Sequence, residues 1–452
     1  MGLEASSRTS GESLAMAMGE SWQWSHGWRG LLGLGVLIGL LYWFSSDRRS
    51  IRWSLVFKAL AIQFLFALLI LYWAPAAWVF DGFSKAFVWV LSFSGQGARF
   101  LFGDLAEERG NLGYIFAFQV LPTIVFFSAL TSLLFYFGWL QSVVAFLAHL
   151  MRKALGLSGA ESLSTVGNIF LGQTEAPLLV KPYLAQMSRS ELFCVMTGGM
   201  ATIAGGVLAA FVGFLGGDDP IQQALFAKHL LSASVMSAPA AVLCAKMIIP
   251  ERKEPQTTEH IDGSSFGVNA LEALTSGTSQ GLMLAVNVGA MLLVFVAVIG
   301  MLNAALGDGI GTWLGINPLI EQWSSGRYDR LSFESILGFV LAPLAWLLGV
   351  DWADSVYVGQ LLGEKTVLNE FVAYVSLASL KEQGLFESSR SIVMATYALC
   401  GFANFASIGI QIGGIGVLAP SRRSEIAALG FRALISGTFA SLFTAVIVGM
   451  VL

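Results

Sequence analysis

Long apolar runs alternate with short polar breaks along most of this chain. A membrane-crossing helix needs about 20 mostly apolar residues. Runs at 30–46, 59–80, 114–140, 192–217, 229–250, 273–307, 391–421 and 433–452 meet or approach that length. They predict an all-α polytopic membrane protein with about eight transmembrane helices. The run 273–307 carries no charge and is long enough for a strongly tilted helix. Residues 83–102 and 141–157 mix apolar side chains with Lys85, Arg99, Arg152 and Lys153, which predicts interfacial helices.

Two further apolar segments, about 158–187 and 355–379, are broken by charges and by Gly or Pro. They predict re-entrant helical hairpins, because irregular backbone at membrane depth survives only when packed inside protein or lining a cavity. Each is followed by a span with a soft centre. The first reads Gly198-Gly199-Met200-Ala201-Thr202-Ile203-Ala204-Gly205-Gly206. The second reads Gly401-Phe402-Ala403-Asn404-Phe405-Ala406-Ser407-Ile408-Gly409. A hairpin followed by an interrupted helix, twice over, is the pattern of inverted-repeat secondary transporters, whose sites form where half-helix ends meet.

Composition narrows the class further. The chain has 452 residues, of which 56% are hydrophobic and 12% charged. Soluble domains carry about a quarter charged residues. An ordinary soluble enzyme, a nucleic-acid binder and a disordered chain are excluded, and a net charge of -4 gives no attraction to polyanions. Cys194, Cys244 and Cys400 sit in apolar runs without metal-ligand spacing, and the four histidines are scattered. No nucleophile–base–metal constellation points to an enzyme.

The division expected is a polar N-terminal segment 1–28; helices and an interfacial helix in 29–110; the third to fifth spans with the first hairpin in 111–250; a polar cytoplasmic loop 251–271; and the long sixth span, second hairpin and last two spans in 272–452. Arg48, Arg49, Arg52, Arg152, Lys153, Lys246, Arg252, Lys253, Arg422 and Arg423 fall in alternate loops. The positive-inside rule places these loops in the cytoplasm and both termini outside it. Met1-Gly2-Leu3-Glu4-Ala5-Ser6 has the form of a myristoylation signal, but an external N-terminus does not meet the cytosolic enzyme.

Ionised residues in membrane segments are costly and usually functional. Glu175, in Gly172-Gln173-Thr174-Glu175-Ala176-Pro177, and Glu370, in Asn369-Glu370-Phe371, are the leading candidates. Each also has a structural alternative, an ion pair with Lys181 or Lys365 respectively. Glu161, Glu334 and Glu364 are expected near interfaces and solvated. Gly172 and Pro177 break the helix, so Gln173, Thr174 and Glu175 offer a row of donors and acceptors suited to a neutral ligand such as a nucleobase. Asn404 and Ser407 lie three residues apart, on one helical face, and with Glu370 supply amide, hydroxyl and carboxylate for a sugar diol. Phe402 and Phe405 can stack on a flat ring. Helix–helix glue is the competing reading of the Asn/Ser pair. Asn168 and Thr202 add oxygens that suit a hard cation.

These stretches resemble the concentrative nucleoside transporter family, both bacterial and animal. The resemblance is carried by residues 161–177, 196–205, 341–346, 366–374 and 398–405, and extends from about Gly30 to Leu452. It implies eight spans, two re-entrant hairpins and a homotrimer. A scaffold with the third and sixth spans would hold the trimer, and a mobile domain would carry substrate in an elevator-type motion. By position in the family motifs, Gln173, Thr174 and Glu175 would face the base. Glu370, Asn404 and Ser407 would hold the ribose, with Phe402 alongside. Asn168, Leu171, Thr202 and Ile203 would form a sodium site. Ser279, Gln280 and Asn287 in the sixth span stand where selectivity positions are expected.

Asn168 and the QTEAP pattern are intact, which favours sodium over protons as the coupling ion. The long cytoplasmic N-terminal extension of animal members has no counterpart, which points to a bacterial inner membrane. The expectation is a sodium–nucleoside symporter with no cofactor. A proton-coupled symporter of the same fold and a nucleoside-binding channel or receptor are the alternatives.

Overall fold

The computed structural model describes residues 24–106, 115–217, 219–252 and 268–452. Most of the polar segment 1–28 and of the polar loop 251–271 lies outside the described residues. Among the described residues every regular element is helical. Eight helical stretches among the described residues are long and apolar enough to cross a membrane.

The first run forms α1, Trp24–Phe44. The second, 59–80, is divided. Helix α2 spans Trp53–Tyr72, and α3, Ala74–Phe102, begins with a proline in its first turn. Proline lacks the N–H that a continuing helix needs, so it opens a helix there instead of prolonging one. The interfacial helix expected at 83–102 is therefore the later part of one 29-residue helix.

Helix α4, Phe116–Tyr136, follows. Gly138, at φ 77°, then turns the chain into α5, Trp139–Leu155. Only glycine adopts that left-handed backbone freely.

The first predicted hairpin is present. Helix α6, Gly159–Gly167, runs to a break. The chain returns through short turns at Ala176–Val180 and Lys181–Leu184. The following span is interrupted as expected: α7, Arg189–Ala201, and α8, Gly205–Gly216, are separated at 202–204. Ser188 and Glu191 form a reciprocal cap that fixes the start of α7. Helix α9, Pro220–Ile248, starts earlier than the apolar run at 229, because Asp219 accepts from the Ile221 N–H at 2.9 Å and Pro220 opens the helix.

Helix α10, Ala270–Asn303, has 34 residues, a length of about 51 Å. Helix α11, Phe333–Leu347, is apolar but has only 15 residues, short of a full span. It is bent by 117° against α12, Trp352–Val367. With α13, Glu370–Glu382, α12 makes the second predicted hairpin, broken at Leu368 and Asn369. The second interrupted span is α14, Ser389–Leu399, and α15, Phe405–Leu418. Helix α16, Arg423–Val451, closes the chain.

Burial separates these helices into two groups. Helices α7–α8, α9 and α16 are nearly wholly buried and pack on one another, whereas α3 and α10 are mostly exposed. Helix α10 pairs closely with α4. At Gly277 and Gly281, a Cβ would fall 2.6 Å from Ser132 Cβ and 2.7 Å from Ser128 Cβ. Small residues spaced four apart let two membrane helices touch backbone to backbone. Gly359 does the same between α12 and α11, and Gly363 receives the Leu337 side chain.

Candidate functional site

The breaks of the two hairpins and the two interrupted helices meet at one place. Gln173, in the first hairpin's break, donates from Nε2 to Ser407 Oγ at 3.0 Å. Asn404 donates from Nδ2 to Glu370 Oε2 at 2.7 Å, joining the second interruption to the second hairpin. The Phe402 N–H donates to Thr202 O at 3.3 Å, which ties the two interruptions together. The Gly205 N–H donates to Phe170 O at 3.1 Å, fastening the first hairpin to the start of α8.

Gly401, at φ 144°, permits this approach. A Cβ there would lie 2.9 Å from Ala201 O.

Local capping presents the polar side chains. Asn404 is the N-cap of α15, and its Oδ1 accepts from the Ser407 N–H at 2.9 Å. The three-residue spacing is therefore a cap, not a shared helical face. Asn369 caps α13 in the same way, accepting from the Val372 N–H at 3.0 Å. This leaves Glu370 at the first helical position, where the helix dipole favours a carboxylate. Glu175 is half-buried, and its Oε2 accepts from the Gly172 N–H at 3.0 Å. Thr174 is half-buried beside it, and Gln173, Glu370, Phe402, Asn404 and Ser407 are buried.

The ion-pair alternatives are not realised. Lys365 donates to Ala398 O at 2.9 Å and to Ser441 Oγ at 3.1 Å, and no ion pair joins it to Glu370. Lys181 is exposed and unpaired with Glu175. Phe402 is buried within the cluster, whereas Phe405 is half exposed.

The candidate cation ligands also converge. Asn168 is fully buried; its Nδ2 donates to Ser164 O at 2.9 Å while its Oδ1 has no partner. Its Nδ2 is 3.3 Å from where a Gly198 Cβ would be, so the amide lies against α7. Thr202 donates to Gly198 O at 2.9 Å, leaving its oxygen lone pairs available. Leu171 and Ile203 are buried in the two breaks, where carbonyls escape the helical ladder. An orphaned amide oxygen beside unwound backbone fits a hard cation and does not fit a soft metal.

Two expectations need correction. Glu161 and Glu364 are buried, not solvated. Glu161 Oε1 pairs with Lys246 Nζ at 2.5 Å. Glu364 accepts from Gln360 Nε2 at 2.7 Å, and Gln360 Oε1 accepts from Tyr328 at 2.7 Å. Glu334 holds Asn303 Nδ2 at 2.9 Å.

Gln411 is a site neighbour that sequence reasoning passed over. It is fully buried, donates to Met196 O at 2.8 Å, and leaves Oε1 unpartnered. A Cβ on Gly199 would be 2.9 Å from both Gln411 Nε2 and Gln173 Cβ. The available signal was its place four residues after Ser407, on the same face of α15.

A cleft lined by Glu175, Phe170 and Gly205 reaches Ser128 and Thr131 on α4 and Gln280 on α10. Ser279 and Asn287 point elsewhere: they are exposed and do not line this cleft.

Paired hairpins and two interrupted helices, closed around a polar centre in a helical membrane protein, define a secondary transporter. Comparison with known proteins gives the family. Residues 32–105 and 229–449 match the family models described as Na+ dependent nucleoside transporter N-terminus and C-terminus, and 117–218 match one described as Gate: Nucleoside recognition. A transporter of Haemophilus influenzae is 43% identical over 426 residues, covering 93% of this chain and 96% of that protein. Solute carrier family 28 member 3 of Rattus norvegicus is 41% identical over 92% of this chain, which spans 58% of that carrier. The structure of CNTnw in an inward-facing substrate-bound state matches with a TM-score of 0.83 and 38% identity, covering 93% of this chain and 97% of CNTnw. The chain belongs to the concentrative nucleoside transporter family, whose members are transporters and not enzymes.

Proposed function

We propose that this protein imports nucleosides by sodium symport. The supporting observation is that the Gln173–Ser407 and Asn404–Glu370 pairs converge beside the unpartnered Asn168 Oδ1. In this reading Gln173, Thr174 and Glu175 bind the base. Glu370, Asn404 and Ser407 hold the ribose hydroxyls, with Phe402 packed against the ring. Asn168 and Thr202 give side-chain oxygens to sodium, and Leu171 and Ile203 give backbone carbonyls.

The coupling has a physical route. Thr202 belongs to the cation set and Phe402 to the nucleoside set, and one hydrogen bond joins their backbones. Ordering either break by a bound ligand restricts the other, so each ligand binds better in the presence of its partner, as linkage requires. A neutral nucleoside gains nothing from the membrane potential unaided. One sodium carried through 100 mV contributes about 2.3 kcal/mol, hence roughly fifty-fold accumulation.

In this reading the protein sits in a bacterial inner membrane with both termini outside the cytoplasm. It works as a homotrimer whose hairpins move as an elevator past α4 and α10. The deciding experiment is uptake of labelled uridine into proteoliposomes under inward sodium or choline gradients at equal pH. Accumulation driven by sodium and abolished in choline is expected. Uptake that follows a proton gradient and ignores sodium would refute the cation assignment. Equilibration without accumulation would indicate a channel.

A further inference from the structure

A groove outside the site, with a cavity volume of about 590 Å³, lies where α1, α7, α9 and α16 come together. It is lined by three arginines, Arg189, Arg252 and Arg432, and by two acids, Asp47 and Glu251. Both acids are already engaged. Asp47 Oδ2 accepts from Arg252 at 2.6 Å. Glu251 Oε2 accepts from Ser188 Oγ at 2.6 Å and lies 3.5 Å from Lys246 Nζ. Arg189 and Arg432 are exposed and have no hydrogen-bond, ion-pair or ring partner among the described residues. Among the described residues the groove lining has three arginines against two acids, and Arg189 and Arg432 are the two guanidiniums without an acidic partner.

Arg432 is the informative one. It stands on α16, about 14 Å along the helix from Arg423. Phe431, its neighbour, is also exposed. A guanidinium on the outer face of a membrane helix has to reach a counter-charge at the headgroup level. Here its side chain lines a groove that a second free guanidinium also lines. Two guanidiniums facing one cavity suit a phosphodiester, which accepts forked hydrogen bonds from both. Beside the charge of Arg432 the exposed Phe431 ring offers an apolar contact, a pairing that suits a molecule with both a charged head and an apolar tail.

We propose that this groove binds the phosphate headgroup of an anionic membrane phospholipid, held between Arg189 and Arg432. The site is separate from the nucleoside cluster, and its residues take no part in the transport chemistry proposed above.

The test uses full-length protein purified in detergent, delipidated, and titrated with phosphatidylglycerol or phosphatidylcholine, with bound lipid counted by native mass spectrometry. Wild-type protein is expected to retain phosphatidylglycerol selectively. The double variant Arg189→Gln/Arg432→Gln is expected to bind it about 25-fold more weakly, at about fivefold per arginine. Arg189→Lys/Arg432→Lys, which keeps the charge but loses the forked donors, should fall between wild type and the glutamine variant. Should the double variant fail to fold, Arg432→Gln alone is measured, with its thermal midpoint as the folding control. Equal retention of phosphatidylglycerol by wild type and variant overturns the proposal. So does complete displacement of the lipid by equimolar inorganic phosphate, which would assign the groove to a free anion.

Discussion

Gln173 Nε2 and Ser407 Oγ, 3.0 Å apart, join the first hairpin's break to the helix that follows the second interruption. The two residues are 234 positions apart in sequence. The bond occupies polar groups that would otherwise be unmet in the interior, and a ligand that enters has to match or replace it. Ser407→Ala removes the acceptor and leaves a buried amide. The expected result is a rise of about tenfold in the KM for uridine with the folded yield intact, read from initial uptake rates.

Glu370 should separate charge from shape. Its Oε2 accepts from Asn404 at 2.7 Å, and its remaining oxygen capacity is what the proposed ribose contact requires. Glu370→Ala is expected to lower kcat/KM for uridine by about 100-fold or more. Competition by 2′-deoxyuridine and 3′-deoxyuridine is the check. Wild-type protein should prefer the intact diol, and the variant should lose that preference.

Asn168→Ala probes the cation set. It deletes the unpartnered Oδ1 and leaves Gln173, Glu370 and Ser407 untouched. The half-saturating sodium concentration should rise about tenfold, while the uridine KM at saturating sodium changes by less than about twofold. Equal losses in both would remove Asn168 from the sodium site.

The Glu161–Lys246 pair makes a prediction about stability instead of transport. The two charges are buried and 2.5 Å apart, and Lys246 also donates to Ser190 Oγ at 3.0 Å. Lys246→Met alone strands a buried carboxylate and should cost about 3–5 kcal/mol. Glu161→Gln/Lys246→Met should recover much of that loss. A double-mutant cycle on thermal midpoints in detergent tests it, and additive losses would show that the pair is not coupled.

Much of this architecture could be read from the chain. The hairpins at 158–187 and 355–379 and the two soft-centred spans are visible because charges, Gly and Pro stand out within apolar runs. What stayed hidden depended on partners far away in sequence. Glu161 looks like a solvated interfacial residue until Lys246, on α9, is found against it. Glu364 is likewise masked by Gln360 and Tyr328. Asn404 and Ser407 are related by capping and not by the helical periodicity that their spacing suggests. The division of 59–80 at Trp73 follows from Pro75, a local signal outweighed by the hydropathy on either side. Gln411 required knowing that α15 turns that face towards Met196.

The close contact of α4 with α10 has a mechanical consequence. With Gly277 and Gly281 against Ser132 and Ser128, only small side chains separate the two helices at these positions. Two rods seated this tightly resist sliding, so they form a stiff strut. The contact of α4 with α8 is different: Gly206 lies against Ile124 O and Ser128 Oγ, 3.3 and 3.5 Å from where its Cβ would be. That surface is smooth and lightly polar. If one part of this molecule travels past another, the slip plane lies between α8 and α4, and the strut behind it acts as the rail.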